Sequence, residues 1–505
     1  MRMVKSLLLG SAAGLVAVAG AQAADLPVKA KPVEYVRVCS LYGAGFWYVP
    51  GTDTCLKIGS YLRVQTSWDA EGGGIPIGAG DATAAAAGRF TRSDTSELAF
   101  RVRAAVSVDL RTQTEYGTLR SYLEIGQQLT TSSVSSAGAN ATVADAVFFD
   151  RGFIQFAGFT VGKIRSYFDI NSFAPYSYAN SRISGDTGAA GIYGLAYTAQ
   201  FGNGVTASLS LEDGQTGAGS RGKLIFDNAS ANFLTGPGLA PTQDNKGWTY
   251  PDVVGALRID QAWGYAQVAA ALHDASGGYY LQPDLVNNGH PSDKVGWATT
   301  AGFTLNDILG LKGDQFGMQA CYSQGAAGYC TRATGPWQIY SASNNAGFGW
   351  LADGVFDGGG TSVELTTVWG VNGFVQHFWN PKWRTSLYGG YVEVDYNGTA
   401  RGFINPVAVC GGTGTAVSAV TGLVPVAGNA CDPSYSWWQV GTRTQWNPHP
   451  DLDIGVDVLW THLNTAYKGL ANFPVNGARP AIAAATIDDQ DVLSVYFRIQ
   501  RNFLP

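Results

Sequence analysis

The chain has 505 residues, with 32 Lys and Arg against 38 Asp and Glu, for a formal charge of −6. Only 14% of residues are charged, against roughly 25% in an average soluble domain, while 66 glycines, 14 tryptophans and 24 tyrosines enrich it in small and aromatic residues. The acidic balance and the absence of Lys/Arg runs argue against a nucleic-acid binder, and the composition suits a β protein with long polar loops and an apolar exterior.

Residues 1–23 read as a cleaved signal peptide. Arg2 and Lys5 precede the apolar run Leu7 to Gly20, and Ala21-Gln22-Ala23 supplies the small residues a signal peptidase reads. That run is too short for a membrane anchor. Residues 24–52 follow as a periplasmic N-terminal segment, expected as a cap tied to the first strand, with a partial plug of the lumen as the alternative. Residues 53–505 form the main body. No later stretch holds ~18 consecutive apolar residues, so a membrane would be crossed by strands.

The body alternates with period 2. In Ile58 to Trp68 the polar face carries Tyr61, Arg63, Gln65 and Ser67. In Leu98 to Leu110 the even positions are apolar, while Arg101, Arg103, Ser107 and Asp109 occupy odd ones. Leu119 to Ile125 repeats the split with Arg120, Tyr122 and Glu124, and Leu493 to Gln500 closes the series. One face suits hydrocarbon and the other water. Sixteen such segments begin near Cys55, Glu97, Thr118, Val147, Phe159, Ile192, Val205, Asp252, Tyr265, Asp293, Gln315, Ser362, Trp383, Ser436, Asp453 and Val492. Each is expected to reach the ~9–11 residues a tilted strand needs.

Seven short connections alternate with eight long ones rich in Gly, Ala, Ser and Asn. The short ones include Ala157-Gly158 and Gly202-Asn203-Gly204; the long ones run roughly over 69–92, 129–144, 166–191, 213–250, 274–292, 324–361, 397–435 and 465–491. The pattern predicts an all-β, sixteen-stranded antiparallel transmembrane barrel with short periplasmic turns, long extracellular loops and both chain ends at the short-turn rim. Trp68, Trp263, Trp379, Trp383, Trp446 and Trp460 fall at strand ends, where an aromatic girdle belongs.

The six cysteines form three near-neighbour couples, Cys39 with Cys55, Cys321 with Cys330 and Cys410 with Cys431, consistent with disulfides in an oxidising compartment. There is no C-x2-C spacing, and the five histidines are scattered, so neither a metal nor a cofactor is expected. The spacing Gly217 to Lys223 matches a phosphate loop, but Leu224 stands where Ser or Thr would bind magnesium. No enzymatic motif emerges.

Several stretches resemble the alphaproteobacterial general porins, the rhizobial and Brucella-type outer-membrane porins. They are Cys39 to Tyr48 with Cys55 to Arg63, Phe149 to Lys163, Asp252 to Gly264 and Arg384 to Tyr391. The resemblance implies a homotrimer in outer-membrane lipid that passes small hydrophilic solutes and ions passively. By position it also makes Ser166 to Gly191 an inward-folded constriction loop, whose aromatics Tyr167, Phe168, Phe173, Tyr176 and Tyr178 would pack it to the wall. An external loop touching a neighbouring loop or protomer is the other reading. Asp169 and Asp186 would then face a basic wall of Arg63, Arg101, Arg103, Arg120 and Arg151, producing a transverse field across the pore. Lys57, Lys163, Arg165, Arg258, Arg443 and Arg498 also read as lumen-facing. Phe503 matches the C-terminal aromatic that the outer-membrane assembly machinery reads, although Leu504-Pro505 follows it. A substrate-specific channel with a saturable lumen site is the functional alternative. Pore radius, ion preference and gating are not legible in the sequence.

Overall fold

The computed structural model describes residues 37–68, 98–131, 143–172, 174–179, 183, 185–188, 190–214, 221–227, 244–280, 289–331, 335–341, 345–408, 424–425, 432–466, 468–473 and 482–503. The expected signal peptide, Phe173, Cys410 and Cys431 lie outside them.

Sixteen strands make the wall. They are β1 (Thr54–Trp68), β2 (Leu98–Thr114), β3 (Gly117–Thr131), β4 (Val143–Phe156), β5 (Phe159–Ile164), β6 (Ile192–Gly202), β7 (Val205–Glu212) and β8 (Asp252–Gln261). The second half comprises β9 (Gly264–Asp274), β10 (Val295–Asn306), β11 (Gln315–Gln324), β12 (Thr367–Asn380), β13 (Trp383–Asp395), β14 (Tyr435–His449), β15 (Leu452–Asn464) and β16 (Gln490–Asn502). Each strand pairs antiparallel with its neighbours in sequence, and β16 returns to β1 through Tyr61↔Asn502 to Trp68↔Val495. The sheet therefore closes and leaves no edge, the condition for a strand-built wall in lipid.

Alternation decides which face is which. Leu62, Val64, Phe100, Val102 and Val106 project outward and are exposed, while Gln65, Asp109 and Gln319 point inward and are buried. All six predicted girdle tryptophans are exposed at the rims. Trp383 and Trp446 stack at 5.8 Å, and the Trp460 indole donates to Asp491 at 2.9 Å. Such rings present an apolar body to lipid and a polar tip to water.

Two expectations need correction. Not every strand reaches the expected length: the fifth is only Phe159–Ile164, because the chain turns inward after Ile164, and the seventh, Val205–Glu212, has eight residues. Lys163 shares outward parity with Phe159 and Val161, since Phe153 pairs with Gly162 and Gly152 with Lys163. Its ammonium caps the Phe149 carbonyl at 2.6 Å, beside the bulge that makes Asp150 an extra inward residue of β4.

The described parts of several long connections form two small sheets and a helix. Residues 225–227 pair parallel with 354–356, which pair antiparallel with 364–365. A second small sheet joins 335–341, 345–351, 482–487, 469–473 and 424–425, and helix α1 (Gly398–Ala408) lies beside 354–356. Phe168, Tyr176, Phe226, Tyr329, Val355 and Trp437 belong to one buried apolar cluster, a core built from loops and the inner wall.

Candidate functional site

The segment 165–191 leaves β5 and runs along the inner wall strand by strand. At its start Glu212, ending β7, accepts from Ser166 Oγ at 2.6 Å and Tyr167 N at 2.9 Å. Asn171 is then bonded on every side. Its amide nitrogen donates to the Phe303 and Met318 carbonyls, its side-chain oxygen accepts from Tyr265 and Thr304, and its backbone N–H reaches Gln319. A buried amide so satisfied costs little and fixes the chain in place. Further on, Tyr176 stacks on Phe374 at 3.6 Å and donates to Gln315 at 3.0 Å, while Ser386 donates to the Tyr176 carbonyl at 2.6 Å. Tyr176 thus packs against the inner wall through β11, β12 and β13.

The tip rests on β15. Asp457 accepts from Ser177 Oγ at 2.9 Å, from the backbone N–H groups of Tyr178 and Ala179 at 2.5 and 3.2 Å, and from Tyr388 Oη at 2.7 Å. Gly455 makes room for it, because a Cβ there would sit 2.3 Å from Tyr178 Oη. The Tyr178 ring lies under two guanidiniums, Arg498 at 4.2 Å and Arg443 at 5.2 Å. Asn372 Nδ2 holds the Ile183 carbonyl at 3.0 Å on the way back. The segment thus touches the wall from β7 round to β16.

The two acids expected to face the lumen are placed otherwise. Asp169 is sealed in protein, paired with Arg221 at 2.5 Å and bonded to Thr187 N and Oγ1 at 2.8 and 2.5 Å. Arg221 is itself fully buried, stacked 4.4 Å over Tyr329, whose phenol burial pushes well above its ordinary pKa. Asp186 is buried too, its carboxylate accepting from the Gly188 N–H at 2.8 Å. A buried charge needs a partner, and the nearer of the two guanidiniums beside Asp169 lies in another long connection, with Arg165 at 3.6 Å as the second.

The basic residues divide into groups. Arg63 and Arg103 pair across β1 and β2, flanked by Gln500 on β16 and Gln128 on β3. One rung higher, Gln65 pairs with Arg101 on one side and Arg498 on the other. Arg101 reaches Thr130 at 3.0 Å, and Arg103 binds Tyr61 Oη at 2.8 Å and Asp150. Arg120 stands apart toward the short-turn rim, where it and Arg111 share Asp109 at 2.9 and 2.7 Å. Arg151 touches the inner segment directly, donating to the Gly188 carbonyl at 2.6 Å.

At the short-turn rim the Cys39–Cys55 disulfide ties the N-terminal segment to β1, and Trp47–Tyr48 pairs with Cys55 and Leu56. Phe46 packs under Arg111, and Tyr42 reaches Gln113 at 3.4 Å, so this segment covers the inner edge of β1 and β2. Cys321–Cys330 pins the connection after β11 to that strand. Phe503 continues β16, its N–H donating to Ser60 O at 3.0 Å.

Asp457, Arg221, Asn171 and Gly455 were not singled out from the sequence as holding this segment. Asp457 had a signal, a carboxylate at inward parity between Val456 and Val458. Arg221 sat in the glycine-rich stretch set aside as a chance phosphate-loop spacing, and the other two had none.

A profile described as the porin subfamily matches residues 25–496. The chain is 35% identical over 266 residues to porin Omp2b of Brucella suis, covering 52% of this chain and 64% of that porin. It is 37% identical over 223 residues to porin Omp2a of Brucella ovis, 42% of this chain and 60% of the relative. The aligned part thus falls short of two thirds of either relative. Among solved structures, OprB of Pseudomonas putida aligns over 89% of this chain and 94% of its own at 10% identity, with a TM-score of 0.45.

Proposed function

The chain belongs to the porin subfamily and sits in the outer membrane of a Gram-negative bacterium, and on that premise we propose that it is a diffusion pore for small hydrophilic solutes and ions, narrowed by residues 165–191. A sixteen-stranded barrel encloses an aqueous channel unless something fills it. The observation that carries the proposal is the course of the inner segment. Its described contacts run from β7 to β16 and include Arg151 on β4 and Thr160 on β5, while Arg63, Arg101 and Arg103 on β1 and β2 keep partial exposure.

Solutes cross between that segment and the arginine-bearing face of β1 to β3. Water there is ordered by fixed guanidiniums and by the amides and hydroxyls beside them. A polar solute replaces those contacts as it passes and an apolar one does not, so permeation favours hydrophilic molecules without energy input. Transport is passive diffusion, and the chain acts as a channel rather than an enzyme. Residues 1–23 direct export, residues 24–52 remain at the periplasmic rim, Phe503 serves assembly, and three copies associate through their lipid-facing walls.

Swelling of proteoliposomes in sugars of increasing size tests this reading. The expected result is fast swelling with monosaccharides and a steep fall for larger sugars. Vesicles that hold the folded barrel yet swell no faster than empty ones would contradict it.

A further inference from the structure

We infer that the pore prefers anions, an inference that rests on the reading of an open lumen. Across β16, β1, β2 and β3 two adjacent inward rungs read Gln500, Arg63, Arg103, Gln128 and Arg498, Gln65, Arg101, Thr130. Those two rungs hold four guanidiniums and no carboxylate.

Neutral groups hold the two central arginines. Arg63 Nε donates to Gln500 Oε1 at 2.8 Å, and its guanidinium lies 5.0 Å from the Tyr61 ring. Arg498 donates through Nε and a terminal nitrogen to Gln65 Oε1 at 2.9 and 2.7 Å, and to the Tyr178 carbonyl at 3.2 Å. An amide or a ring orients a guanidinium but leaves its charge uncancelled.

The described acids nearby are engaged elsewhere. Asp150 is bound by Arg103, Asp169 is sealed against Arg221, Asp457 is wrapped by two hydroxyls and two backbone N–H groups, and Asp453 on β15, which pairs with Gln500, is held by the amides of Gln445 and Asn447. Arg443 adds a further cation beneath the Tyr178 ring. Asp453 and Asp457 keep their charge by the same rule, but Arg63, Arg101, Arg443 and Arg498 outnumber these two. The net charge of −6 does not decide the matter, since charges beyond ~8–10 Å are screened at physiological salt. Between low-dielectric walls the local cations set the potential and concentrate small anions such as chloride or carboxylates.

The test is the reversal potential of the full-length protein in a planar bilayer under a potassium chloride gradient. The parent is expected to give a chloride-to-potassium permeability ratio above one. The double variant R63Q/R498Q is expected to lower that ratio by about twofold or more, and R63K/R498K to retain it. A parent ratio below one would overturn the inference while leaving the pore standing. So would an R63Q/R498Q channel that conducts with the parent's ratio. Inserted protein that carries no current would overturn the pore reading and this inference together. The parent measurement needs no variant to fold.

Discussion

Replacing Asp457 by alanine should free the tip of the inner segment. In the parent this one carboxylate takes four hydrogen bonds, three of them from Ser177, Tyr178 and Ala179 at the tip. Bonds to a charged acceptor contribute ~1.5–3 kcal/mol each, but these share one group and the released donors regain water. A buried donor left without an acceptor costs ~1–3 kcal/mol. Taking ~3 kcal/mol for the tip alone, its docking equilibrium weakens about a hundredfold. Asn171, Tyr176 and the Ile183 carbonyl keep their own anchors, so the segment stays inside while its tip moves. Single-channel recording should then give a higher mean conductance and greater open-channel noise for Asp457→Ala, with Asp457→Asn between it and the parent. Conductance and noise equal to the parent's, from correctly inserted Asp457→Ala, would refute the view that this contact holds the pore narrow.

Three other outcomes are expected. Arg221→Ala leaves buried Asp169 with the half-exposed Arg165, 3.6 Å away, as its remaining described cation, and a cost of up to ~3–5 kcal/mol should lower the temperature at which the barrel loses its heat-modifiable gel mobility. Non-reducing peptide mapping should recover Cys39 linked to Cys55 and Cys321 linked to Cys330; replacing the latter pair by serine should cost ~2–3 kcal/mol in denaturant unfolding, as loop-closure entropy predicts. At the turn before β11, burial pushes the Asp314 carboxyl up, but the His377 ring at 2.5 Å and the Phe378 N–H at 2.8 Å hold it below its ordinary value. A depressed carboxylate stabilises fully at neutral pH and loses that effect as pH falls through its folded pKa, so amide protection factors in residues 307–314 should drop once the pH goes below about 4 in the parent. Asp314→Asn should exchange faster at neutral pH and lack that acid step.

The barrel was legible because lipid and water impose period 2 on every strand. Leu98 to Leu110 states the rule alone, and the short and long connections supply the topology. Parity also placed Arg63, Arg101 and Arg103 on one inner face. It failed at Lys163, where charge suggested the lumen but register across the Ala157-Gly158 turn turns the side chain outward. The acids failed for another reason. Whether Asp169 faces water depends on Arg221, 52 residues away in a connection without periodicity, and no local pattern encodes that meeting. The small sheets of the long connections were missed likewise, since 225–227 pairs with 354–356 across the width of the sequence.

The central claim is that a water-filled path remains between residues 165–191 and the arginine-bearing wall. Single-channel conductance of the refolded protein in a planar bilayer tests it most directly. The account predicts stable, ohmic steps that scale with salt concentration. A barrel that inserts fully and carries no current would mean that the inner segment and the loop core close the lumen, and would contradict the account.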